Sequence, residues 1–320
     1  MTLSALPSGT AVDPQAIAAA LRVEVERVVR GKPDAVRLAL CALLAGEHLL
    51  VEDVPGTGKT VLARSLAAAL GGRFRRVQCT PDLLPSDITG TTVYEPATGE
   101  WSFRAGPVFA NIVLVDELNR ASPRTQAALL EPMEERTVSV DGTSHRLPTP
   151  FLVVATQNPY GSAGTFALPE SQLDRFGIVL TMGVPDRAAQ RGLLRGEGGL
   201  DALAGVAAVT TPGQLAAAIE AVRSVHVAEA VVEYALDLVD ATRAHTDLVL
   251  GASPRATQSL LGLARAHAVV AQRSYVSPDD VQAVFLAALA HRVITLDGSA
   301  TATATRVLSV VMGSVAVPSG

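Results

Sequence analysis

The stretch Asp53-Val54-Pro55-Gly56-Thr57-Gly58-Lys59-Thr60 decides how the rest of the chain is read. It follows a short apolar run, His48–Glu52, and leads straight into a helical pattern from Thr60 to Leu70. Strand, glycine-rich turn and helix is the setting in which backbone N–H groups and a helix N-terminus form a preorganised anion site. In such a loop Lys59 neutralises the β/γ-phosphates of a nucleotide, and the Thr60 hydroxyl ligates Mg2+. The candidate nucleotide-binding set is Pro55, Gly56, Thr57, Gly58, Lys59, Thr60 and Val61, with Gly31 upstream, where the first helix closes. The pattern G-x-x-x-x-G-K-[ST] is met incompletely, because Asp53 stands where it has its first glycine. That position supports the turn and need not touch phosphate. The plain alternative is an ordinary glycine turn carrying a surface lysine.

Working outward, Ile112-Val113-Leu114-Val115-Asp116-Glu117 is an apolar strand ending in two carboxylates. A buried strand there delivers Asp116 to a Mg2+ shell and sets Glu117 to polarise a water for attack on phosphorus. Alone, the same run reads as a strand followed by a capped helix; the phosphate loop upstream tips the balance. Asn158 ends the next core strand, where it can hold the attacking water, or serve merely as a turn residue before Pro159. Arg175, in Leu173-Asp174-Arg175-Phe176 on a short helix, reads as an arginine finger for a neighbouring subunit or as a surface partner of Asp174 or Glu170. Arg255 opens a helix capped by Ser253 with Pro254 in its first turn, and from there can reach a γ-phosphate.

The remaining organisation fits around these motifs. Asp13-Pro14 starts a helix carrying Ile17, Leu21, Val25 and Val28, and Pro33 opens a second. Strands are predicted at Phe74–Cys79, Phe151–Ala155 and Ile178–Thr181, alternating with helices, which points to a parallel three-layer α/β sheet. Two segments break that rhythm as hairpins: Thr91–Arg104, and Thr137–Leu147 around Asp141-Gly142. Pro132 should kink the helix Pro123–Glu134. Beyond Pro185-Asp186 helices dominate, at Arg187–Leu194, Gln214–Val222, Glu229–His245, Arg255–Gln272 and Pro278–Arg292. Gly196–Gly199 reads as a flexible connection and Ser299–Thr305 as a loop. The expected domains are a disordered leader (1–13), an α/β core (14–185) and a helical domain (186–320).

Composition narrows the function classes. Of the 320 residues 48% are hydrophobic, yet the apolar runs are short, and Leu38–Ala45 falls well below the ~20 residues of a membrane span. The first twelve residues do not read as a signal peptide, so a cytoplasmic protein is expected. Cys41 and Cys79 read as buried small hydrophobes, and no two of the six histidines have metal-ligand spacing. Net charge is −5 with scattered arginines, which gives nucleic-acid binding no support. Lysine occurs only at 32 and 59.

These motifs in this order resemble the AAA+ superfamily, and the intervening stretches resemble its MoxR family. The similar runs are Thr80–Gly90, Asp116–Ala121, Ala155–Pro159, Leu168–Phe176 and Gly251–Arg255, within a similarity spanning about residues 20–295. The resemblance implies a P-loop NTPase core of AAA+ type followed by a smaller all-α lid domain, acting on ATP with Mg2+. It implies Walker A at Gly56–Thr60, Walker B at Asp116-Glu117, sensor 1 at Asn158, the finger at Arg175 and sensor 2 at Arg255. The two hairpins become the helix-2 insert and the pre-sensor-1 hairpin, both pore-side elements. It further implies a homo-oligomeric ring, a hexamer, that remodels or matures a client with a von Willebrand A-type partner, in some members by inserting a cofactor. A metal-chelatase subunit is a close cousin. The other readings are a DNA-remodelling motor and a nucleotide-gated scaffold with little turnover.

Overall fold

The computed structural model describes residues 12–159, 164–297 and 301–318, so most of the expected leader lies outside the described residues. Asp13 caps α1 (Pro14–Val28), its carboxylate accepting the N–H groups of Gln15 and Ala16. Gly31, with φ of +69°, turns the chain into α2 (Pro33–Ala45), where a side chain would be both strained and crowded against Ala189. Then come β1 (His48–Glu52), α3 (Lys59–Ala69), β2 (Phe74–Gln78) and α4 (Pro85–Thr89). The first hairpin is β3 (Gly90–Glu95) with β4 (Glu100–Ala105). It is followed by β5 (Ile112–Asp116), α5 (Pro123–Ala127) and α6 (Leu130–Glu135). The second hairpin, β6 (Thr137–Val140) with β7 (Thr143–Arg146), precedes β8 (Leu152–Gln157), α7 (Glu170–Leu173) and β9 (Phe176–Leu180).

The strands β2-β5-β8-β1-β9, in that order, form one parallel sheet. Successive side chains of a strand point to opposite faces, and both faces here are buried. Leu49, Val51, Ile112, Leu114, Val154 and Ile178 join the core beneath α1, α2 and α3. Leu50, Val113, Val115, Val153 and Ala155 join a second core with Ile88, Leu129 and Met133. The core is therefore the expected three-layer α/β arrangement. All five strands end on one side, and that carboxyl edge is where doubly wound sheets bind ligands.

Both hairpins stand where the sequence predicted them. Asp141 (φ +48°) and Gly142 (φ +78°) make the two-residue left-handed turn of the second. The two hairpins also touch: Phe103 of β4 stacks on His145 of β7 with ring centroids 3.9 Å apart, and Phe109 meets Phe103 edge-on. The kink expected at Pro132 is a full break four residues earlier. A proline ring clashes with the carbonyl of residue i−4, here Ala128, so α5 stops at Ala127 and Pro132 sits in the first turn of α6.

The rest of the chain is helical: α8 (Arg187–Leu194), α9 (Gly199–Ala202), α10 (Pro212–Arg223), α11 (Glu229–Ala244), α12 (Pro254–Val270), α13 (Pro278–Leu289) and α14 (Thr301–Ser314). Four short strands, β10 (His226–Val227), β11 (Leu248–Leu250), β12 (Tyr275–Val276) and β13 (Ile294–Thr295), pair as β10–β12 and β11–β13. Residues 301–305, expected as loop, form the first turns of α14, because Ala304, Val307, Leu308 and Val311 bury one stripe at helical spacing. The helix α12 lies along α2, where Arg37 Nη1 is 2.7 Å from His267 Nε2 and His267 Nδ1 is 2.6 Å from the buried Asp280 carboxylate. Burial pushes Asp280 up, but His267, Arg273 and Ser277 outweigh it and hold the carboxyl well below the usual range. The helix α13 packs on β9, and His291 just beyond it donates from Nε2 to the Phe176 carbonyl at 2.6 Å.

Candidate functional site

At the carboxyl edge of the sheet the loop after β1 swings into α3 through Gly56 (φ +84°) and Gly58 (φ +98°), conformations that favour glycine. No side chain caps α3, so the N–H groups of its first turn face outward as an anion-binding end. Lys59 folds back over the loop, its Nζ donating to the carbonyls of Asp53 (2.6 Å) and Val54 (3.0 Å). Burial lowers its pKa, while Asp53, Asp116 and Glu117 pull the other way. Thr60 and Val61 occupy the first turn of α3. A free helix end, a lysine held over it and facing carboxylates fit the phosphates of ATP, with Thr60 and Asp116 as the residues to hold Mg2+.

Asp53 does more than replace a glycine. It is 6% exposed; Oδ1 accepts the Val54 N–H at 2.7 Å and Oδ2 accepts the Gly183 N–H at 2.6 Å. Lys32 approaches the same spot from the other direction, donating from Nζ to the carbonyls of Met182 and Gly183. The chain's only two lysines thus both lie in the field of Asp53. The scarcity of lysine was the one signal in the sequence that marked Lys32. Gly31 packs beside it against Ala189 and Pro185.

Asp116 and Glu117 leave β5 beside this loop. The Thr156 hydroxyl of β8 donates to Asp116 Oδ1 at 2.6 Å and accepts the Glu117 N–H at 2.9 Å. Arg76 of β2 pairs with Asp116 Oδ2 at 2.6 Å. Glu117 has a φ of +56°, a left-handed backbone that costs a non-glycine residue about 1–3 kcal/mol and concentrates at functional sites. Its carboxylate faces Arg120 at 3.2 Å. Asn158 follows β8 directly, and its carbonyl accepts from the Asn119 side chain at 3.4 Å. A cavity lined by Glu52, Asp53, Val54, Gln157 and Asn158 opens beside the loop. Thr156 and Arg76 escaped the sequence reading: a threonine and an arginine within a strand carry no pattern, and only the pairing of strands joins them to Asp116.

Arg175 and Arg255 are not in this group. Arg175 lies in the turn between α7 and β9, not on a helix, and precedes Phe176, which pairs with His48 at the start of β1. The phosphate loop begins after the last residue of β1, about 13 Å further along the strand. Arg255 is beside Arg175: its Nη1 reaches Glu134 Oε1 at 2.9 Å, and Arg175 reaches Glu134 Oε2 through Nη2 at 2.9 Å. Arg255, read from the sequence as able to reach a γ-phosphate, thus stands apart from the phosphate loop of its own chain and beside Arg175. The start of α12 is clasped to the turn that carries Arg175, Ser253 Oγ to Asp174 Oδ1 at 3.4 Å and buried Arg292 to the Asp174 carbonyl at 2.9 Å. The surface partner of Arg175 is Glu134, not Asp174 or Glu170.

Comparison with known proteins gives the following. The profile of the ATPase family associated with various cellular activities matches residues 48–178, and that of the AAA lid domain matches residues 240–309. The chain is 44% identical over 270 residues to the protein YeaC of Bacillus subtilis, covering 84% of each. It is 40% identical to the chaperone MoxR1 of Mycobacterium tuberculosis, over 87% of this chain and 76% of that one. It is 33% identical to the protein MoxR of Methylorubrum extorquens, over 86% and 87%. A crystal structure assigned as an ATPase of Cytophaga hutchinsonii superposes with a TM-score of 0.87 at 32% identity, covering 96% of both chains.

Proposed function

The chain belongs to the MoxR family of AAA+ ATPases, and from that premise we propose that its ATPase sites are shared between neighbours in a homo-oligomeric ring. It is an enzyme that hydrolyses ATP in chaperone-like work. In our reading the outward N–H groups of α3 and Lys59 take the phosphates, with Lys59 leaving the Asp53 and Val54 carbonyls for the incoming anion. Thr60 and Asp116 would hold Mg2+, which when bound would supply positive charge against the phosphates. Glu117 accepts a proton from the attacking water, which Asn158 helps to hold, and Thr156 keeps the Asp116 carboxylate and the Glu117 backbone in place. Gly31 borders the site from the α8 side.

The observation that carries the shared site is the place of the two arginines. Both sit at the amino-terminal end of the sheet, with the phosphate loop of their own subunit at the other. A cationic pair so placed serves an adjacent subunit, where it stabilises charge on the transferring phosphoryl group. We take the ring to be a hexamer with cores at 14–185 and helical domains at 186–320. Its two hairpins then meet a client, with a von Willebrand A-type protein as partner and maturation or metal insertion as the outcome. No helix among the described residues is long and apolar enough to cross a membrane, and we place the work in the cytoplasm. A net charge of −5 speaks against a DNA substrate.

The test is ATPase rate against protein concentration for wild type, Arg175→Ala and Arg255→Ala, with assembly followed by sedimentation. A rate that rises with assembly, and collapses in both variants while they still assemble, is expected. A rate per subunit that is flat with concentration and untouched by either substitution overturns the shared site.

A further inference from the structure

Glu134, at the end of α6, is the carboxylate that Arg175 and Arg255 have in common. Oε1 takes Arg255 Nη1 at 2.9 Å, and Oε2 takes Arg175 Nη2 at 2.9 Å and Nε at 3.1 Å. The two guanidinium groups arrive from separate elements, the turn before β9 and the first turn of α12. Two cations brought together repel, and nothing in either element alone fixes their spacing. One carboxylate with an oxygen for each removes the repulsion and dictates the distance between them. The Arg255 hydrogen bond and the charge of Arg175 outweigh partial burial and hold the Glu134 carboxyl below its ordinary range, so it is ionised at neutral pH. The group is open to solvent, with side chains 21% (Arg175), 41% (Arg255) and 44% (Glu134) exposed. Exposed pairs of this kind add little to fold stability, which leaves geometry as the use of this one.

We propose that Glu134 is a positioning residue that joins Arg175 and Arg255 into one two-armed clamp for the γ-phosphate bound by the neighbouring subunit. This rests on the reading that both arginines act across the subunit boundary. Glu134 touches no nucleotide itself; it acts through the arginines. The elements that carry them are tied into the same unit, since Ser253 and Arg292 both hold Asp174, the residue before Arg175. A glutamine at 134 keeps the size of the side chain but turns an NH2 donor towards one arginine, which opens the clamp on that side.

The test compares Glu134→Gln, Glu134→Asp, Arg175→Ala and Arg255→Ala, reading kcat, KM for ATP, assembly, and the activity of mixed rings. Glu134→Gln is expected to lower kcat about tenfold or more with KM and assembly unchanged, since misplacing a catalytic group costs rate rather than ground-state binding. Combined with Arg175→Ala it should slow the enzyme by less than the product of the two separate effects, because part of its action runs through Arg175. Mixing Glu134→Gln subunits with Glu117→Gln subunits should raise the rate severalfold above the sum of the two. The first lends its intact hydrolytic residues and the second its correctly spaced arginines. If the arginine variants lose activity while Glu134→Gln keeps it, the shared site stands and Glu134 is only a surface partner. If the arginine variants also keep activity, the shared site falls and this proposal falls with it. Loss of assembly in both Glu134→Gln and Glu134→Asp overturns the positioning role in favour of a structural one. So does a mixture no faster than its parts.

Discussion

The Thr156 hydroxyl donates to the Asp116 carboxylate at 2.6 Å, and the same oxygen receives the N–H of the next residue, Glu117. One side chain on β8 therefore fixes the Asp116 carboxylate and the backbone from which the Glu117 side chain projects. Thr156→Val removes the donor and the acceptor together and takes the acceptor from a part-buried N–H. It should cost about 1–3 kcal/mol of stability and lower kcat at least about tenfold. Thr156→Ser should retain most of both. Urea unfolding and steady-state ATPase assays, run on the same preparations, check this; equal behaviour of the two variants would remove Thr156 from the site.

Glu117→Gln separates binding from hydrolysis. The amide keeps the size of the carboxylate but accepts no proton, so hydrolysis should fall about 10²–10⁴-fold. ATP affinity should stay within a few-fold of wild type. A fluorescent nucleotide titration beside a phosphate-release assay reads both, and turnover close to wild type would transfer the base role elsewhere.

Restoring the glycine of the usual phosphate-loop pattern should harm this protein. In Asp53→Gly the Val54 and Gly183 N–H groups lose their acceptor, and Lys32 and Lys59 lose the carboxylate they face. The expected losses are about 1–3 kcal/mol of stability and about tenfold in nucleotide affinity. A variant that binds ATP as well as wild type would show that the Asp53 tether is dispensable.

Two buried histidines make stability depend on pH. Burial and the charge of Arg136 push His48 down to about 3, and burial with Arg292 does the same for His291. His48 is held neutral by use of both nitrogens: Nδ1 accepts from the Val153 N–H, and Nε2 lies 2.9 Å from the Met133 carbonyl. In the unfolded chain each takes up a proton near pH 6.5, and the native state does not until far lower. Folded values below unfolded ones mean stability that is complete above about pH 6.5 and lost on acidification towards pH 3. The slope approaches ~3 kcal/mol per pH unit for the two together. Below about pH 4 the depressed Asp280 adds a loss of the same sign. Urea midpoints at pH 7.5, 6.5 and 5.5 should decline accordingly, with a shallower decline in His48→Gln.

What the sequence made legible was local. The phosphate loop, the strand ending in Asp116-Glu117, the turn at Asp141-Gly142 and the caps at Asp13 and Ser253 are each written within a few adjacent residues. So are the two faces of the parallel sheet. What it concealed depends on contacts between distant segments. Arg255 is legible in the sequence as the first turn of a capped helix, but where it points follows from how α12 docks on α2 and on the turn before β9. Glu134 reads as one acidic residue among several at a helix end until two arginines from elsewhere converge on it. The turn of α14 at Thr301 was hidden because alanine and threonine alone give no apolar stripe; the stripe exists only once Val307 and Leu308 are counted with Ala304.

The stack of Phe103 on His145 has a mechanical corollary. Two outgrowths from separate points of the core share one set of rigid-body coordinates, as the prongs of a fork do. A displacement of one is passed to the other through that contact. Their offset is set by an aromatic contact of 3.9 Å, so its tuning lies in the size of one ring.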